Sequence, residues 1–305
     1  MTSKDFARGR APGEVTGFVD FHSHLMPGVD DGAPDVAQAL EALRAFAAQG
    51  AATCITTPHF DASLTKSPEA FSTRMAQFDT AWGILTAARD AACDAACDAA
   101  RDAACDAAPT PPGRPPLPAL ARGVEIMLDD PDPDLSDPRV RLAGGPFVLV
   151  EFPAMQLPPN AEWALHNIKA KGWRPIIAHP ERYRNHDARL TVLSRCRAAG
   201  ALLQVNAGSL LGQHGDRARA IAGALLSLGW VDYLASDHHA RGDPATGRAV
   251  ALLRARGAGA QAERLTVENP TRILTGEAPL PVAPLKAREA RSWWARLLVR
   301  LAGSD

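Results

Sequence analysis

The sequence predicts a single α/β domain in which parallel strands form a barrel covered by helices. After residue 17, short apolar runs alternate with longer segments of helical periodicity, which is typical of strand–helix units around a parallel sheet. Seven such units lie between residues 18 and 239, and this number favours a barrel over an open sheet. The chain has 305 residues, of which 46% are hydrophobic, so it is long enough to bury a substantial core.

The apolar runs are the predicted strands of this barrel. In chain order they are FVDFH (18–22), ATCITTPH (52–59), LARGVEI (120–126), FVLVEF (147–152), RPIIAHPE (174–181), ALLQVN (201–206) and VDYLASDHH (231–239). Residues 35–50 have the apolar spacing and the closing glycine of a helix, and AEWALHNIKAKGW and RARAIAGALLSLGW have similar patterns. We therefore expect one domain over residues 17–280.

Three segments depart from the barrel pattern. Residues 1–16 lack the apolar core of a secretory signal and are expected to form a disordered lead-in. Residues 88–118 join a DAAC repeat to a proline-rich linker, and we interpret them as a low-complexity insertion rather than a soft-metal or redox site. Residues 281–305 contain a basic amphipathic helix at 285–303, for which peripheral contact with an anionic membrane, contact with a partner and packing on the barrel remain open.

Composition and charge exclude several classes of function. A formal net charge of −1 gives no strong field to recruit nucleic acid, and no apolar run is long enough for a transmembrane span. The five cysteines include no C-x-x-C pair, so a zinc–thiolate site is not expected. Their odd number, without a signal peptide, favours reduced thiols in a cytoplasm. None of them stands in a C-x5-R context, so a cysteine-nucleophile phosphatase has no support.

Ionisable side chains recur at the ends of the predicted strands. They are His22, His24, His59, Glu125, Glu151, His179, Asp237, His238 and His239. The carboxyl ends of parallel barrel strands meet at one mouth, so we expect these side chains to converge. One H-x-H or one strand-end carboxylate would be weak evidence, but burying charges from six strand ends costs too much unless metal ions compensate them.

The residue types also indicate which ions and which chemistry the site would support. Mixed imidazole and carboxylate ligands suit manganese, iron or zinc better than calcium. A carboxylate such as Glu125 can bridge two ions, and bridged ions generate hydroxide and clamp a phosphoryl group. Arg182 stands three residues after His179, close enough to fork onto a phosphate, the alternative being a salt bridge to a site acid.

The strand-end residues fall within six ordered motifs from about residue 18 to 275, ending with ENPTRIL. The motifs are DFHSHLMPGVDDG, TTPH, GVEI, LVEFP, IAHPER and LASDHH. In this order they resemble the PHP (polymerase and histidinol phosphatase) superfamily, and within it the bacterial tyrosine-protein phosphatases of capsular and exopolysaccharide loci. The resemblance implies a distorted (β/α)7, TIM-like barrel and two or three metal ions, often manganese, with iron, zinc or magnesium as substitutes. It also implies hydrolysis of phosphotyrosine by metal-activated hydroxide.

The resemblance further assigns the residues to roles. The first ion would be held by His22, His24, Glu125 and Asp237, the second by Glu125, Glu151 and His179, and the third by Asp31, His59 and His239. Arg182 matches the phosphate-binding arginine of the family, and it is expected to act in catalysis with Glu125 and Asp237. Arg241, in the less closely matching stretch ARGDP, could provide a second contact to the substrate.

Three functions are compatible with these residues. The first is a metal-dependent tyrosine phosphatase in the bacterial cytoplasm, acting on a polysaccharide-assembly tyrosine kinase and so regulating capsule or exopolysaccharide production. The second is a phosphoesterase of a small phosphate monoester such as histidinol phosphate, and the third is a metal-binding scaffold without activity. Asp31 and Glu151 are typical of the tyrosine phosphatase branch and favour the first.

Overall fold

The chain folds into alternating strands and helices with two parallel sheets, as a computed structural model shows for residues 17–105 and 115–285. The lead-in predicted at residues 1–16, part of the predicted insertion (106–114) and residues 286–305 of the predicted tail lie outside the described residues. Among the described helices, none combines the length and the apolar character needed to cross a bilayer.

The strands coincide with the predicted apolar runs. They are β1 (Phe18–Ser23), β2 (Ala51–Thr56), β3 (His59–Asp61), β4 (Ala119–Arg122), β5 (Glu125–Met127), β6 (Phe147–Glu151), β7 (Arg174–Ala178), β8 (Leu202–Asn206) and β9 (Tyr233–Ala235). All of the strand pairs are parallel, in one sheet of order β1-β2-β4 and one of order β3-β5-β6-β7-β8-β9. The prediction of parallel strand–helix units is therefore confirmed.

Six helices lie between strands in the described part of the chain, and three more follow the last strand. They are α1 (Val36–Ala48), α2 (Pro68–Cys105), α3 (Ala161–Ala170), α4 (Thr191–Ala198), α5 (Ala207–Leu210), α6 (Gly215–Leu228), α7 (Thr246–Ala255), α8 (Gly259–Glu263) and α9 (Asn269–Thr275). Helix α1 begins at its N-cap Asp35, whose carboxylate accepts a hydrogen bond from the backbone N–H of Gln38. Helix α2 continues into the DAAC repeat as far as Cys105, in line with the high helix propensity of alanine.

The single closed sheet of a TIM-like barrel is not found in the described part of the chain, because two predicted strands are interrupted. Pro58 has no N–H to donate, and the run that contains it divides into β2 and β3. The third run divides at Gly123 into β4 and β5. Single hydrogen bonds cross the gap, from Gly123 N to Thr56 O at 3.0 Å and from Glu125 N to Pro58 O at 3.1 Å.

The two sheets nevertheless share one core and meet at a second edge. Phe21 and Ile55 from one sheet pack in a buried cluster with Leu149, Ile176 and Tyr233 from the other. At the ends of β1 and β9, the backbone N–H groups of residues 24 and 237 donate to the carbonyl oxygens of residues 238 and 22, at 2.8 and 2.9 Å. The carboxyl ends of strands from both sheets therefore face the same region.

A buried carboxylate ties the end of β9 to β1. Asp20 is fully buried and accepts hydrogen bonds from Ser236 N and Ser236 Oγ, both at 3.0 Å, and from Thr246 Oγ1 at 2.6 Å. Burial raises the pKa of Asp20 to about 6, although these donors oppose the shift. Asp20 thus fixes the segment from which Asp237 and His239 project.

We expect the substitution Asp20→Asn to lower the free energy of unfolding by about 2–3 kcal/mol, because the amide nitrogen replaces one of the two carboxylate oxygens that accept these bonds. Urea denaturation with Asp94→Asn as the control measures the effect. Asp94 makes the same carboxylate-to-amide change on the exposed surface of α2, where we expect less than about 0.5 kcal/mol. Equal effects of the two substitutions would contradict the role of Asp20.

Candidate metal centre

The predicted ligands converge where the carboxyl ends of β1, β6, β7 and β9 lie near the starts of β3 and β5. Their positions are as follows: His22 within β1 and His24 just after it, Asp31 in the following turn, His59 and Glu125 at the starts of β3 and β5, Glu151 at the end of β6, His179 after β7, and Asp237 and His239 after β9. Their ligand atoms form three groups that could hold a metal ion, and His179 contacts one of them. His238 points elsewhere, with its ring edge-on to Phe46.

Four buried atoms form the innermost group, which we call the quartet: His22 Nε2, His24 Nε2, Glu125 Oε2 and Asp237 Oδ1. None of the four has a hydrogen-bond partner among the described residues. Each nitrogen lies 3.2–3.4 Å from the two oxygens. Atoms that bind one transition-metal ion at about 2.0–2.2 Å stand about 3–3.5 Å apart, so the quartet fits such an ion.

The other ring nitrogen of each quartet histidine is held by an oxygen. His22 Nδ1 lies 2.9 Å from Gln204 Oε1, and His24 Nδ1 lies 2.8 Å from Asp30 Oδ2. An amide or carboxylate oxygen only accepts, so each Nδ1 carries the proton. When these rings are neutral, the Nε2 atoms of the quartet therefore carry the lone pairs that a metal ion needs.

The two quartet carboxylates are held in the same manner, by the oxygen that lies outside the quartet. Asp237 Oδ2 accepts from Arg182 Nη1 at 2.6 Å and from Asn206 Nδ2 at 2.7 Å. Glu125 Oε1 lies 2.9 Å from His179 Nε2. Each of the four side chains thus has one anchored atom and one atom that faces the common centre.

The second group surrounds the carboxylates of Glu125 and Glu151. His59 Nδ1 lies 3.2 Å from an oxygen of each, and these three residues form the group. His179, which the resemblance assigns to the second ion, also approaches these carboxylates, with Nε2 at 2.9 Å from Glu125 Oε1 and 3.7 Å from Glu151 Oε2. Two imidazoles therefore flank the carboxylate pair.

The third group lies nearest to solvent. Asp31 Oδ1 is 3.5 Å from His59 Nε2 and 3.4 Å from His239 Nε2, and His24 completes the group. The side chain of Asp31 is 62% exposed and that of His59 is 37% exposed, whereas Glu125 is fully buried. The centre therefore opens at its third group.

A tight turn brings this loop over the quartet. Asp30 Oδ1 accepts from Gly32 N at 3.0 Å, and Asp30 Oδ2 accepts from His59 N at 3.2 Å. A Cβ atom on Gly32 would overlap the carbonyl oxygen of His24, so the close approach requires glycine. Of the acidic pair in the motif, Asp30 is the buried support of His24, and Asp31 is the member that faces the mouth.

Two of the predicted ligands have strained backbone conformations. His179 has φ = 34° and Asp237 has φ = 54°, both in the left-handed region that non-glycine residues seldom adopt. Such residues cost of order 1–3 kcal/mol each and concentrate at functional sites. Their surroundings therefore favour the ligand positions over relaxed backbone.

The proton equilibria show how strongly the centre attracts positive charge. Burial alone would raise the pKa of Glu125, but His22 and His179 hold it well below its usual range. Burial opposes protonation of His59, yet the carboxylates of Glu125 and Glu151 raise its pKa to about 10. In the metal-free protein, protons on the imidazoles thus compensate the buried carboxylates.

The two predicted substrate-binding arginines lie at the edge of this centre. Arg182 forms the salt bridge to a site acid that was the alternative to phosphate binding, and 31% of its side chain remains exposed. Arg241 donates from Nη2 to the backbone oxygen of Asp31 at 3.0 Å, so it lies beside the third group.

Sequence reasoning missed three residues that support the ligands: Asp30, Gln204 and Asn206. The sequence contained one signal for two of them, because Gln204 and Asn206 are polar residues in alternate positions of an otherwise apolar strand. Nothing in the sequence separates Asp30 from Asp31, since both carboxylates suit either role.

Comparisons with known proteins agree on one family. The chain matches the family described as "Capsular polysaccharide synthesis, CpsB/CapC" over residues 18–85 and 119–275. It is 30% identical to tyrosine-protein phosphatase YwqE of Bacillus subtilis over 72% of this chain and 77% of that protein. It is 23% identical to CapC of Staphylococcus aureus, whose name also contains the words tyrosine-protein phosphatase, over 72% of this chain and 76% of that protein.

A solved structure supports the same relationship. It comes from work on crystal structures of YwqE from Bacillus subtilis and CpsB from Streptococcus pneumoniae, which are described as metal-dependent tyrosine phosphatases. The match has a TM-score of 0.63 and 26% sequence identity, and it covers 88% of this chain and 99% of that one.

We expect the stabilisation by added Mn²⁺ to increase between about pH 5.5 and 8, because an ion must displace protons from imidazoles with raised pKa values. In chelated protein, the raised pKa of His59 instead makes the stability of the fold decrease as the pH rises. Its contribution to stability is complete below about pH 6.5 and is lost as the pH rises toward the folded-state pKa of about 10. Thermal denaturation with Mn²⁺ and with chelator at both pH values measures the difference. A metal-induced rise in Tm that is equal at both pH values would contradict this proton–metal exchange.

Proposed function

Because the chain belongs to the CpsB/CapC capsular polysaccharide synthesis family, we propose that it is a metal-dependent phosphatase that hydrolyses phosphotyrosine. The observation that carries this proposal is the quartet, whose four buried atoms face one centre beside the guanidinium of Arg182. The names of the relatives support phosphotyrosine as the substrate. Under this proposal the phosphorylated protein is a polysaccharide-assembly tyrosine kinase in the bacterial cytoplasm, which agrees with the capsule-related family.

The proposed ligand sets follow the three groups. His22, His24, Glu125 and Asp237 hold the first ion; Glu125, Glu151 and His179 hold the second; and Asp31, His59 and His239 hold the third. Manganese is the proposed metal, with iron, zinc or magnesium as substitutes, since imidazole and carboxylate ligands suit these ions. Bound ions supply an activated water at neutral pH and neutralise charge on the phosphoryl group.

Arg182 is proposed to bind and orient the phosphate. Its bond to Asp237 engages Nη1, which leaves other N–H groups of the guanidinium for phosphate oxygens. The bond also fixes the guanidinium at the edge of the quartet, so that a phosphate on Arg182 would lie next to the metal ligands. Preorganised donors of this kind stabilise charge that develops in the transition state.

The open mouth favours a phosphate carried on a protein. The third group and Arg182 are partly exposed, whereas the quartet is buried, so a side chain can reach the centre while its own backbone remains outside. Two of the described cysteines are poor alternatives as nucleophiles. Burial raises the pKa of Cys54 well above its usual value and that of Cys196 to about 12, which keeps both thiols protonated.

We propose further that the two sheets are arcs of one distorted (β/α)7 barrel, in which β2 continues as β3 and β4 continues as β5. The backbone bonds between the ends of β1 and β9 support closure on the other side. Residues 17–280 would then be one phosphatase domain. The family match stops at residue 85 and resumes at residue 119, which supports an insertion at 88–118.

We expect Mn²⁺-loaded protein to hydrolyse phosphotyrosyl peptides, and chelated protein to be inactive until Mn²⁺ is restored. Initial rates on phosphotyrosyl peptides, histidinol phosphate and sugar phosphates, compared as kcat/KM, provide the test. Much faster cleavage of the small phosphate esters would replace the proposed substrate class. Failure to cleave any phosphate ester would favour a metal-binding scaffold.

We expect Arg182→Ala to reduce kcat/KM for a phosphotyrosyl peptide by about 10²–10³-fold, because a charged donor to the phosphoryl oxygens is lost. Metal content measured by elemental analysis should stay close to that of the unaltered protein, because Arg182 is not a ligand. Arg256→Ala, on the exposed end of α7, is the matched control and should leave turnover unchanged. Full activity of Arg182→Ala would remove this residue from the site.

A further inference from the structure

Strand β8 carries two fully buried amides although it supplies no proposed ligand. Gln204 and Asn206 alternate with Leu203 and Val205, and all four are completely buried. A buried amide is costly unless its polar atoms are hydrogen-bonded. We propose that Gln204 and Asn206 are positioning residues that fix the quartet atoms of His22 and Asp237, and this inference rests on the proposed metal centre.

The backbone of His179 determines which way the amide of Gln204 points. The N–H of His179 donates to Gln204 Oε1 at 3.2 Å. A backbone N–H can only donate, so the atom that it contacts must be the amide oxygen. The same oxygen lies 2.9 Å from His22 Nδ1, which must therefore be the protonated nitrogen of that ring.

The second amide continues the chain of hydrogen bonds in the same direction. Gln204 Nε2 donates to Asn206 Oδ1 at 2.8 Å, and Asn206 Nδ2 donates to Asp237 Oδ2 at 2.7 Å. With the bond from His22 Nδ1 to Gln204 Oε1, three side-chain hydrogen bonds run in one direction from His22 to Asp237. Neither amide can therefore be flipped without losing its bonds to both neighbours. We call these three side-chain bonds the amide relay.

The amide relay ends at two of the four atoms of the quartet. At one end it places the proton of His22 on Nδ1 and leaves Nε2 with a lone pair, and at the other it occupies Oδ2 of Asp237 and leaves Oδ1 for the centre. Amide groups do not titrate near neutral pH, so this polarity is independent of pH. Asp30, in contrast, supports His24 through a carboxylate.

The amide relay also connects the metal ligands with the phosphate-binding residue. Asn206 and Arg182 donate to the same oxygen of Asp237, at 2.7 and 2.6 Å. Loss of Asn206 would leave Arg182 as the remaining donor to that oxygen. Supporting hydrogen bonds of this kind change metal affinity by about 10–100-fold when they are removed.

The test measures Mn²⁺ affinity by competition with a chromophoric chelator, which requires no turnover. Gln204→Met keeps the approximate length of the side chain and removes every bond of the amide. We expect it to weaken binding of the tightest ion by about 10–100-fold. Gln49→Met is the matched control, because Gln49 also uses both amide atoms, on Pro244 O and Gly247 N, but outside the centre. Its affinity should equal that of the unaltered protein.

A second variant keeps the inference testable if Gln204→Met does not fold. Gln204→Glu retains an oxygen for His22 Nδ1 and for the N–H of His179, but it cannot donate to Asn206. We therefore expect it to weaken Mn²⁺ binding less than Gln204→Met does. Urea denaturation of the chelated variants separates metal affinity from general destabilisation. Unchanged affinity in either folded variant would overturn the positioning role. Absence of Mn²⁺ binding in the unaltered protein would instead overturn the proposed function.

Discussion

Burial of two carboxylates at the meeting point of two parallel sheets is the constraint on which the rest of the site depends. Glu125 and Asp237 have almost no contact with solvent, and each directs one oxygen toward the same pair of imidazole nitrogens. Uncompensated charges at such a position would cost several kcal/mol per ion, so the centre must carry a cation, a set of protons or both. The raised pKa values of His22 and His24 are a consequence of this requirement, because Glu125 and Asp237 favour the protonated rings.

Hydrogen bonds from the surrounding residues hold each quartet side chain in a defined orientation. Each quartet side chain is held through the atom that does not face the centre, by Gln204, Asp30, Asn206 or another ligand. Anchoring one atom and leaving the other free sets both the tautomer and the direction of a ligand. Exposure increases from the buried quartet to Asp31 in the third group, so a substrate would approach from the side of the third group.

Sequence patterns predicted the strands and the convergence of the strand-end side chains, because both depend on periodicity and residue type. FVLVEF and RPIIAHPE each contain a buried strand with a predicted ligand at or just after its end, and the structure pairs these strands as β6 and β7. The division of two strands at Pro58 and Gly123 was not predicted, since it depends on backbone pairing between distant segments. The role of Asp30 was missed for the same reason, because only its contacts with His24 and His59 distinguish it from Asp31.

The location of bound ions tests the central claim most directly. Crystals grown with Mn²⁺ and measured at the manganese absorption edge should show an anomalous peak within about 2.0–2.3 Å of all four quartet atoms. A second peak should lie against the carboxylates of Glu125 and Glu151. Binding of Mn²⁺ elsewhere, with the quartet atoms hydrogen-bonded to one another or to other protein groups, would contradict the assignment of the quartet as a metal site.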